Sequence, residues 1–413
     1  MKQKNIIIIG GGASGIAAAI TAGRMGAAVT ILEQKEMLGK KILSTGNGKC
    51  NFTNMLMDAS CFRGEHPEAV SYALLQFGVE STLQFFGSLG VIAKEKNGYV
   101  YPRTGQASTI LDALVMEVKK LGVKICLNTT VSAAQKKNGQ FQVDTNQGRF
   151  ISDALILSTG GKAAKVLGSD GTGYPLAKSF GHTISPVVPA LVQLKSEEPY
   201  FKKIAGVRAD AKVTALVEGK EEASDTGELQ LTKQGLSGIP IFQISRYLSK
   251  ALQEKKKAMV EIDFLPHFTD ESFYAFLEER LLIHGTKSAH EFLVGIFHEK
   301  LIDLFLQQAH ILSNKRSNTF TKTELEKLVR GCKHFQVPIT ETNGFDHAQV
   351  CAGGVRTEEI CEHRMESKYV EELFLTGELL DIDGICGGYN LQWAWSTGCL
   401  AGIYAGTKEK KHD

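Results

Sequence analysis

A run of four isoleucines, Ile6 to Ile9, passes directly into Gly10-Gly11-Gly12-Ala13-Ser14-Gly15, and this constrains the chain more than any other feature. A short, wholly apolar segment of this kind is what the buried centre of a parallel sheet requires. Gly10, Gly12 and Gly15 fill the G-x-G-x-x-G pattern. In that pattern the first glycine makes the tight turn. The second lets a pyrophosphate approach the backbone, and the third lets helix and strand pack closely. Ile16 to Met25, rich in alanine, reads as the helix, and Ala28 to Leu32 as the next strand. Glu33 closes that strand 18 positions after Gly15, where a carboxylate accepts hydrogen bonds from ribose hydroxyls. An acid there disfavours a 2′-phosphate, so NADP is not expected at this site. Gly10, Gly12, Ala13, Ser14, Gly15, Glu33 and the adjacent Gln34 are therefore candidate nucleotide contacts. A basic, apolar start also resembles a signal peptide, but the glycines interrupt its apolar region.

The motif alone does not choose between dinucleotides, and three later segments favour FAD. The first runs from Gly39 to Asn54, directly after the second strand. Its glycines and amides are suited to lining a flavin edge, with Lys41, Gly46, Asn47, Gly48, Cys50 and Asn51 as candidates; its plainer reading is an exposed turn. The second is Asp153 to Gly161, an apolar strand ending in Thr159-Gly160-Gly161, which returns the chain to the nucleotide domain. The third is Leu373 to Leu391, where a strand leads through Gly377, Glu378 and Asp381 to Gly387-Gly388-Tyr389-Asn390-Leu391 and a helix ending near Gly406. The start of that helix can face the flavin pyrimidine and stabilise negative charge on it.

With those segments in view, Ser44 to Asn54, Ser158 to His182, Gly353-Gly354-Val355 and Gly377 to Gln392 together resemble one bacterial flavoprotein family. Its members are often labelled NAD(FAD)-utilising dehydrogenases, and aminoacetone oxidase and a dehydro-bile-acid reductase are among them. The resemblance covers nearly the whole chain. It implies a noncovalent FAD, adenine held by backbone near Val131, and a Rossmann domain made from both chain ends. Two positions depart from the family pattern: Lys49 stands where arginine is usual, and Cys351 where threonine is frequent. The lysine keeps the charge and loses the bidentate fork.

The expected fold class is therefore α/β, a two-part Rossmann-type FAD-binding domain (1–189 and 344–413) with an inserted mixed β and helical region (190–343). In the insert, 206–219, 228–232 and 258–264 read as strands, and 270–284, 288–310 and 322–333 as helices by apolar spacing. A substrate site is expected between the insert and the flavin domain. Gly235-Leu236-Ser237-Gly238 hints at a hydrolase elbow, but lacks its last glycine and shows no clear strand–elbow–helix context. The histidines at 284, 290, 298 and 310 do not build a ligand set, so no metal is expected. Lys255 to Lys257 read as a solvated helix end, and Lys408 to Asp413 as a frayed tail.

The flavin would carry the redox chemistry, with hydride passing between its N5 and a small organic substrate. Only one dinucleotide fingerprint is visible, which leaves NAD(P)H a transient visitor. Lys49, Arg103 and His347 are the candidate catalytic groups. Arg103 follows Tyr99-Val100-Tyr101-Pro102 and is placed to hold an anion if those aromatics cover the active site; the alternative is a turn with a surface arginine. Reduction of an activated double bond competes with oxygen-dependent amine oxidation. A third reading is a flavin-bearing RNA-binding protein. The net charge of +2 gives no field that favours nucleic acid or an acidic membrane. No apolar run approaches the ~20 residues needed to span a bilayer. Eight scattered cysteines, none at Cys-x-x-Cys spacing, fit reduced thiols in the cytoplasm. Oligomeric state is not legible.

Overall fold

The computed structural model describes residues 3–407. The chain forms two compact units, one of residues 1–189 and 348–413, the other of residues 190–347. Lys2 and the tail from Lys408 lie outside the described residues.

The elements of the first unit that build the site are, in chain order, β1 (Asn5–Ile9), α1 (Ala13–Arg24), β2 (Ala28–Leu32), β3 (Thr53–Asn54), β4 (Ala93–Lys96), β5 (Tyr99–Pro102), β6 (Lys124–Cys126), β7 (Ala154–Leu157), α2 (Gly173–Ser179), β8 (Leu373–Leu375) and α3 (Tyr389–Gly406). The main sheet runs β8-β7-β1-β2-β6, all parallel, with the short strands Glu366–Ser367 and Ile360–Cys361 added antiparallel beyond β8. In β1 the residues Ile6 to Ile9 are all buried, and so is the whole of β7. That burial on both faces explains why neither strand alternates polar and apolar residues. The strand read over Asp153 to Gly161 is thus shorter, and so is the one read over Leu373 to Glu378, which ends at Leu375 before a 3₁₀ turn over Gly377–Leu379. The helix read from Ile16 begins at Ala13 instead, so the last glycine of the motif lies within its first turn.

The two ends of the chain meet through α1 and α3. Gly398, Gly402 and Gly406 recur every four residues on α3, and a Cβ on them would lie 2.3 Å from Ser14 O, 2.3 Å from Ala18 O and 2.8 Å from Met25 Cβ respectively. Small residues at i and i+4 lie on one helix face, so the two backbones touch directly. Thr21 Oγ1, which donates to Ala17 O within α1, also lies 3.2 Å from Cys399 O across the contact.

The second unit is a seven-stranded antiparallel sheet in the order Phe335–Ile339, Ala258–Asp263, Arg208–Val217, Lys220–Thr232, Gly235–Ser237, Leu194–Lys195, Glu341–Thr342. The helices Asp270–His284 and Lys322–Lys333 fall where the apolar spacing puts them. The single helix expected over 288–310 is two, Ala289–Leu293 and Glu299–Ala309, interrupted around Gly295 at φ 88°. The strand expected over 228–232 extends back to Lys220 as half of a long hairpin with Arg208–Val217. Its outer half, Lys-Glu-Glu-Ala-Ser-Asp, is polar because it lies largely in solvent, which hid it from a hydrophobic pattern. The Gly235 segment does pass from strand to helix, at Gly238. Ser237 is nevertheless buried and its strand is antiparallel, unlike a hydrolase elbow. Among the described residues no helix is long and apolar enough to cross a membrane, and no group of three His, Cys, Asp or Glu side chains could hold a metal ion.

A buried polar node pins the edge hairpin of the first unit to the segment after α2. His182 Nδ1 lies 3.0 Å from Glu359 Oε2 and its Nε2 lies 2.8 Å from Ser367 Oγ. Ser367 Oγ already accepts the Tyr369 and Val370 N–H groups, so its own hydrogen goes to Nε2 and the ring donates from Nδ1. The neutral ring is therefore the form that fits, and burial pushes its pKa below the ordinary value, against the pull of Glu359. A depressed histidine pKa contributes stability that is complete above the unfolded value of about 6.5 and is lost as pH falls below it. The thermal midpoint is expected to drop between pH 7 and pH 5.5. His182→Gln should lower the midpoint at pH 7 and flatten that dependence. Calorimetry at both pH values checks this.

Candidate active site

The glycines of the first turn divide by what surrounds them. A Cβ on Gly10 would lie 2.3 Å from Ser158 O, and one on Gly15 would lie 2.0 Å from Gly10 O. Neither position accepts a side chain without moving backbone. A Cβ on Gly12 would meet nothing within 4 Å. Gly12 is also the N-cap of α1, whose first turn carries the N–H groups of Ala13, Ser14 and Gly15. The turn thus presents open backbone and a helix N-terminus at one point, which suits a pyrophosphate. Glu33, almost fully buried, accepts the Gly11 N–H through Oε2 at 2.7 Å and the Lys35 N–H through Oε1 at 2.8 Å. It is held rigidly at the end of β2, and each oxygen keeps a second lone pair. Gln34 donates to Gly168 O at 2.8 Å and ties β2 to the segment that follows β7. Val131 begins a separate antiparallel strand, Val131–Lys137, paired with Thr145.

Beyond β7 and β8 two carboxylates are fastened by backbone. Glu378 accepts the Cys351 N–H through Oε1 at 2.8 Å and Lys41 Nζ through Oε2 at 2.9 Å, and Lys41 also reaches Ala163 O. Asp381, 1% exposed, accepts the Gly353 N–H through Oδ1 and the Glu65 N–H through Oδ2. A Cβ on Gly161 would lie 3.0 Å from Glu378 Oε1, so the strand-end glycines and this acid are adjacent. Cys351 supplies through Sγ an acceptor for the Lys162 N–H at 3.1 Å, so here the sulfur serves as acceptor. Burial pushes its thiol up to about 12 and that of Cys50 up to about 11, so neither is a nucleophile at neutral pH.

Facing this cluster is a residue that sequence reasoning missed. Tyr174, on α2, is buried, and its hydroxyl has no hydrogen-bond partner among the described residues. Burial, followed by the proximity of Cys351, Glu378 and Asp381, raises its pKa, so the hydroxyl keeps its proton and can donate it in a hydrogen bond. An orphaned buried hydroxyl costs about 1–3 kcal/mol unless something accepts from it. Its place within the run Ser158 to His182, part of the family resemblance, was visible, but nothing in the sequence told its ring apart from any core tyrosine.

The third part of the site is where the glycine loop after β2 meets the start of α3. Gly46, Asn47, Gly48 and Cys50 all have positive φ, so this loop is tightly wound with left-handed turns. Cys50 is fully buried, whereas Asn47, Gly48 and Lys49 are exposed. Gly388 sits on β3, where a Cβ would lie 2.6 Å from Thr53 O. Asn54 donates to Gly387 O at 2.9 Å, and Asn51 Oδ1 accepts the Val100 N–H. Asn390 is turned back onto the chain, bonding Gly384 through both ends of its amide. Leu391 is partly buried beside it. Behind the turn, Gln392 bonds Thr53, Thr82 and Ser396, and Trp395 donates to Phe52 O. These buried bonds lock β3 onto α3. The structure therefore brings Lys49 and Arg103, both exposed, into the same unit as the glycine turns, while His347 belongs to the other unit.

The fold and the site together define a Rossmann-type α/β protein whose glycine turns, following parallel strands, come from both ends of the chain. The chain belongs to the family described as HI0933-like protein Rossmann domain, whose model matches residues 4–404. It is 53% identical over 402 residues to a 3-dehydro-bile acid delta(4,6)-reductase of Clostridium scindens, covering 97% of this chain and 98% of that protein. It is 30% identical over 398 residues to a ribosomal RNA dihydrouridine synthase of Haemophilus influenzae, covering 95% and 96%. Among solved structures, a 3-ketosteroid delta1-dehydrogenase from Sterolibacterium denitrificans has the same fold, with a TM-score of 0.53 at 10% identity over 98% of this chain and 100% of that one.

Two substitutions separate the roles of the glycines. Gly15→Ala is expected to destabilise the protein by about 1–3 kcal/mol, as overpacking does, visible as a lower melting temperature without ligand. Gly12→Ala should leave that melting temperature unchanged and weaken FAD binding by about tenfold or more, about 1.4 kcal/mol, in a fluorescence titration. Tyr174→Phe should weaken FAD binding by about fivefold, the loss of one hydrogen bond of about 1 kcal/mol.

Proposed function

We propose that this chain is an FAD-dependent oxidoreductase that reduces a carbon–carbon double bond conjugated to a carbonyl in a small molecule, with NAD(P)H as the source of electrons. The single observation that carries this reading is the 53% identity to the bile acid reductase across nearly the whole of both chains. The dihydrouridine synthase, named for a product whose pyrimidine double bond is saturated, belongs to the same chemistry. Two relatives with unlike substrates share one reaction type, which makes the reaction the firmer inference and the substrate the weaker one.

The residues present fit a noncovalently held FAD. Gly12 and the first turn of α1 receive the pyrophosphate, with Ala13 and Ser14 beside it, and Glu33 accepts from the adenosine ribose. Val131 holds adenine through its backbone, on the family resemblance alone. Thr159-Gly160-Gly161, Gly377, Glu378 and Asp381 would hold the ribityl and phosphate stretch, with the Tyr174 hydroxyl as a further donor. The loop from Gly46 to Asn51, the Gly387-Gly388 turn and the N-terminus of α3 would hold the ring and favour negative charge on it. When bound, the flavin supplies hydride transfer. Arg103, and Lys49 within the ring loop, both exposed, offer positive charge to an anionic group of the substrate.

Anaerobic stopped-flow mixing tests the reading. NADH or NADPH should bleach the bound flavin, and a 4-en-3-one steroid should restore its colour. If neither nucleotide reduces the flavin, the donor assignment fails. Rapid reoxidation by air with peroxide release during amine turnover would favour an oxidase instead. The 30% identity to the RNA-modifying enzyme sustains a second reading, a uridine in RNA as the acceptor. Binding to an RNA hairpin whose affinity falls steeply with salt would support it.

A further inference from the structure

The small sheet β3-β5-β4 has two unlike faces. Val100 is buried and Thr53, its partner on β3, is fully buried, so their side faces the core. Side chains two apart on a strand share a face, so Tyr99 and Tyr101 point to the other side together. Directly opposite them on β4 are Lys96 and Lys94, and directly opposite residues of an antiparallel pair share a face. Arg103 continues the alternation just past the strand.

That face looks onto both glycine turns. A Cβ on Gly387 would lie 2.8 Å from Tyr99 Cε1, so the Tyr99 ring edge abuts the turn before α3. A Cβ on Gly46 would lie 3.6 Å from Tyr101 Cε1, an ordinary contact with the other turn. Both rings are half-buried, and neither hydroxyl has a hydrogen-bond partner among the described residues. Burial, with Tyr99 alongside, raises the pKa of Tyr101, which keeps its phenol protonated at neutral pH. Tyr99 is hemmed in as a wall; Tyr101 is the freer ring.

Resting on the double-bond reduction proposed above, we propose that Tyr101 is the catalytic proton donor of that reaction. The bound, reduced flavin would supply hydride to the β-carbon, with the π electrons moving to leave a substrate enolate. The enolate α-carbon takes the proton of the Tyr101 hydroxyl, yielding the saturated ketone, oxidised flavin and a phenolate that solvent reprotonates. Hydride and proton enter from two fixed directions, so the new α C–H bond has one configuration.

The test uses the full-length holoenzyme, photoreduced without oxygen, then mixed in D₂O with 4-androstene-3,17-dione or cyclohex-2-enone. Tyr101→Phe should slow flavin reoxidation by about a hundredfold or more, the usual scale of a lost general acid. Flavin content, the flavin spectrum and the steroid dissociation constant of the oxidised enzyme should stay near wild type. Deuterium at the α-carbon, placed on one face by the wild type, should appear on both faces in the variant by NMR. Tyr99→Phe should keep the single face and most of the rate. Reoxidation of Tyr101→Phe within twofold of wild type, or an equal loss in Tyr99→Phe, overturns the assignment to Tyr101. If neither enone reoxidises the wild-type enzyme, the double-bond reading falls, and the Tyr101 assignment with it.

Discussion

The contact between α1 and α3 is the constraint on which the rest of the first unit depends. Backbone-to-backbone packing of two helices is possible only where side chains are absent or minimal along both facing stripes. Ser14, Ala18 and Ala22 on α1 meet Gly398, Gly402 and Gly406 on α3. These helices come from opposite ends of the chain. Their contact sets α3 beside Gly377, which accepts from Trp393 Nε1 and donates to Thr397 Oγ1, and a Cβ on Gly377 would lie 2.7 Å from Ser14 Oγ on α1. A larger side chain at Gly398 would meet Ser14 O and force the two helices apart.

From that contact outward, the site is organised by backbone donors and acceptors that fix acidic side chains. Glu33, Glu378 and Asp381 each accept an N–H group from a residue more than twenty positions away in the chain. Carboxylates used this way are rigid before any ligand arrives, so little ordering remains for binding to supply. The cost of burying them is offset by charge-assisted hydrogen bonds. Tyr174 is the exception: buried, protonated, and with a hydroxyl that has no hydrogen-bond partner among the described residues.

The motif around Gly10 to Gly15, the acid at Glu33 and the helix from Tyr389 were legible because each rests on local stereochemistry or periodicity. The insert was legible where its elements are amphipathic, as in Asp270–His284, and illegible where they are not. The outer half of the Lys220–Thr232 strand is polar on both faces, and the break at Gly295 splits one apolar pattern into two helices. The helices Glu68–Gln76 and Val79–Ser88 were also unread. Tyr99 to Arg103 could be read as strand or turn; its pairing with Ala93–Lys96 decided for strand.

By itself the sequence determined the parallel α/β core and the nucleotide turn, because these follow from glycine stereochemistry, apolar runs and spacing along the chain, while the participation of both chain ends was implied by the family resemblance. Tertiary structure decided what faces what. It showed that Asn390 bonds its own loop, that Cys351 supplies an acceptor through sulfur, that Tyr174 hides an unsatisfied hydroxyl, and that two tyrosines share a face with two glycine turns. Each of these depends on groups far apart in the chain meeting within a few ångströms, and local pattern carries no record of such meetings.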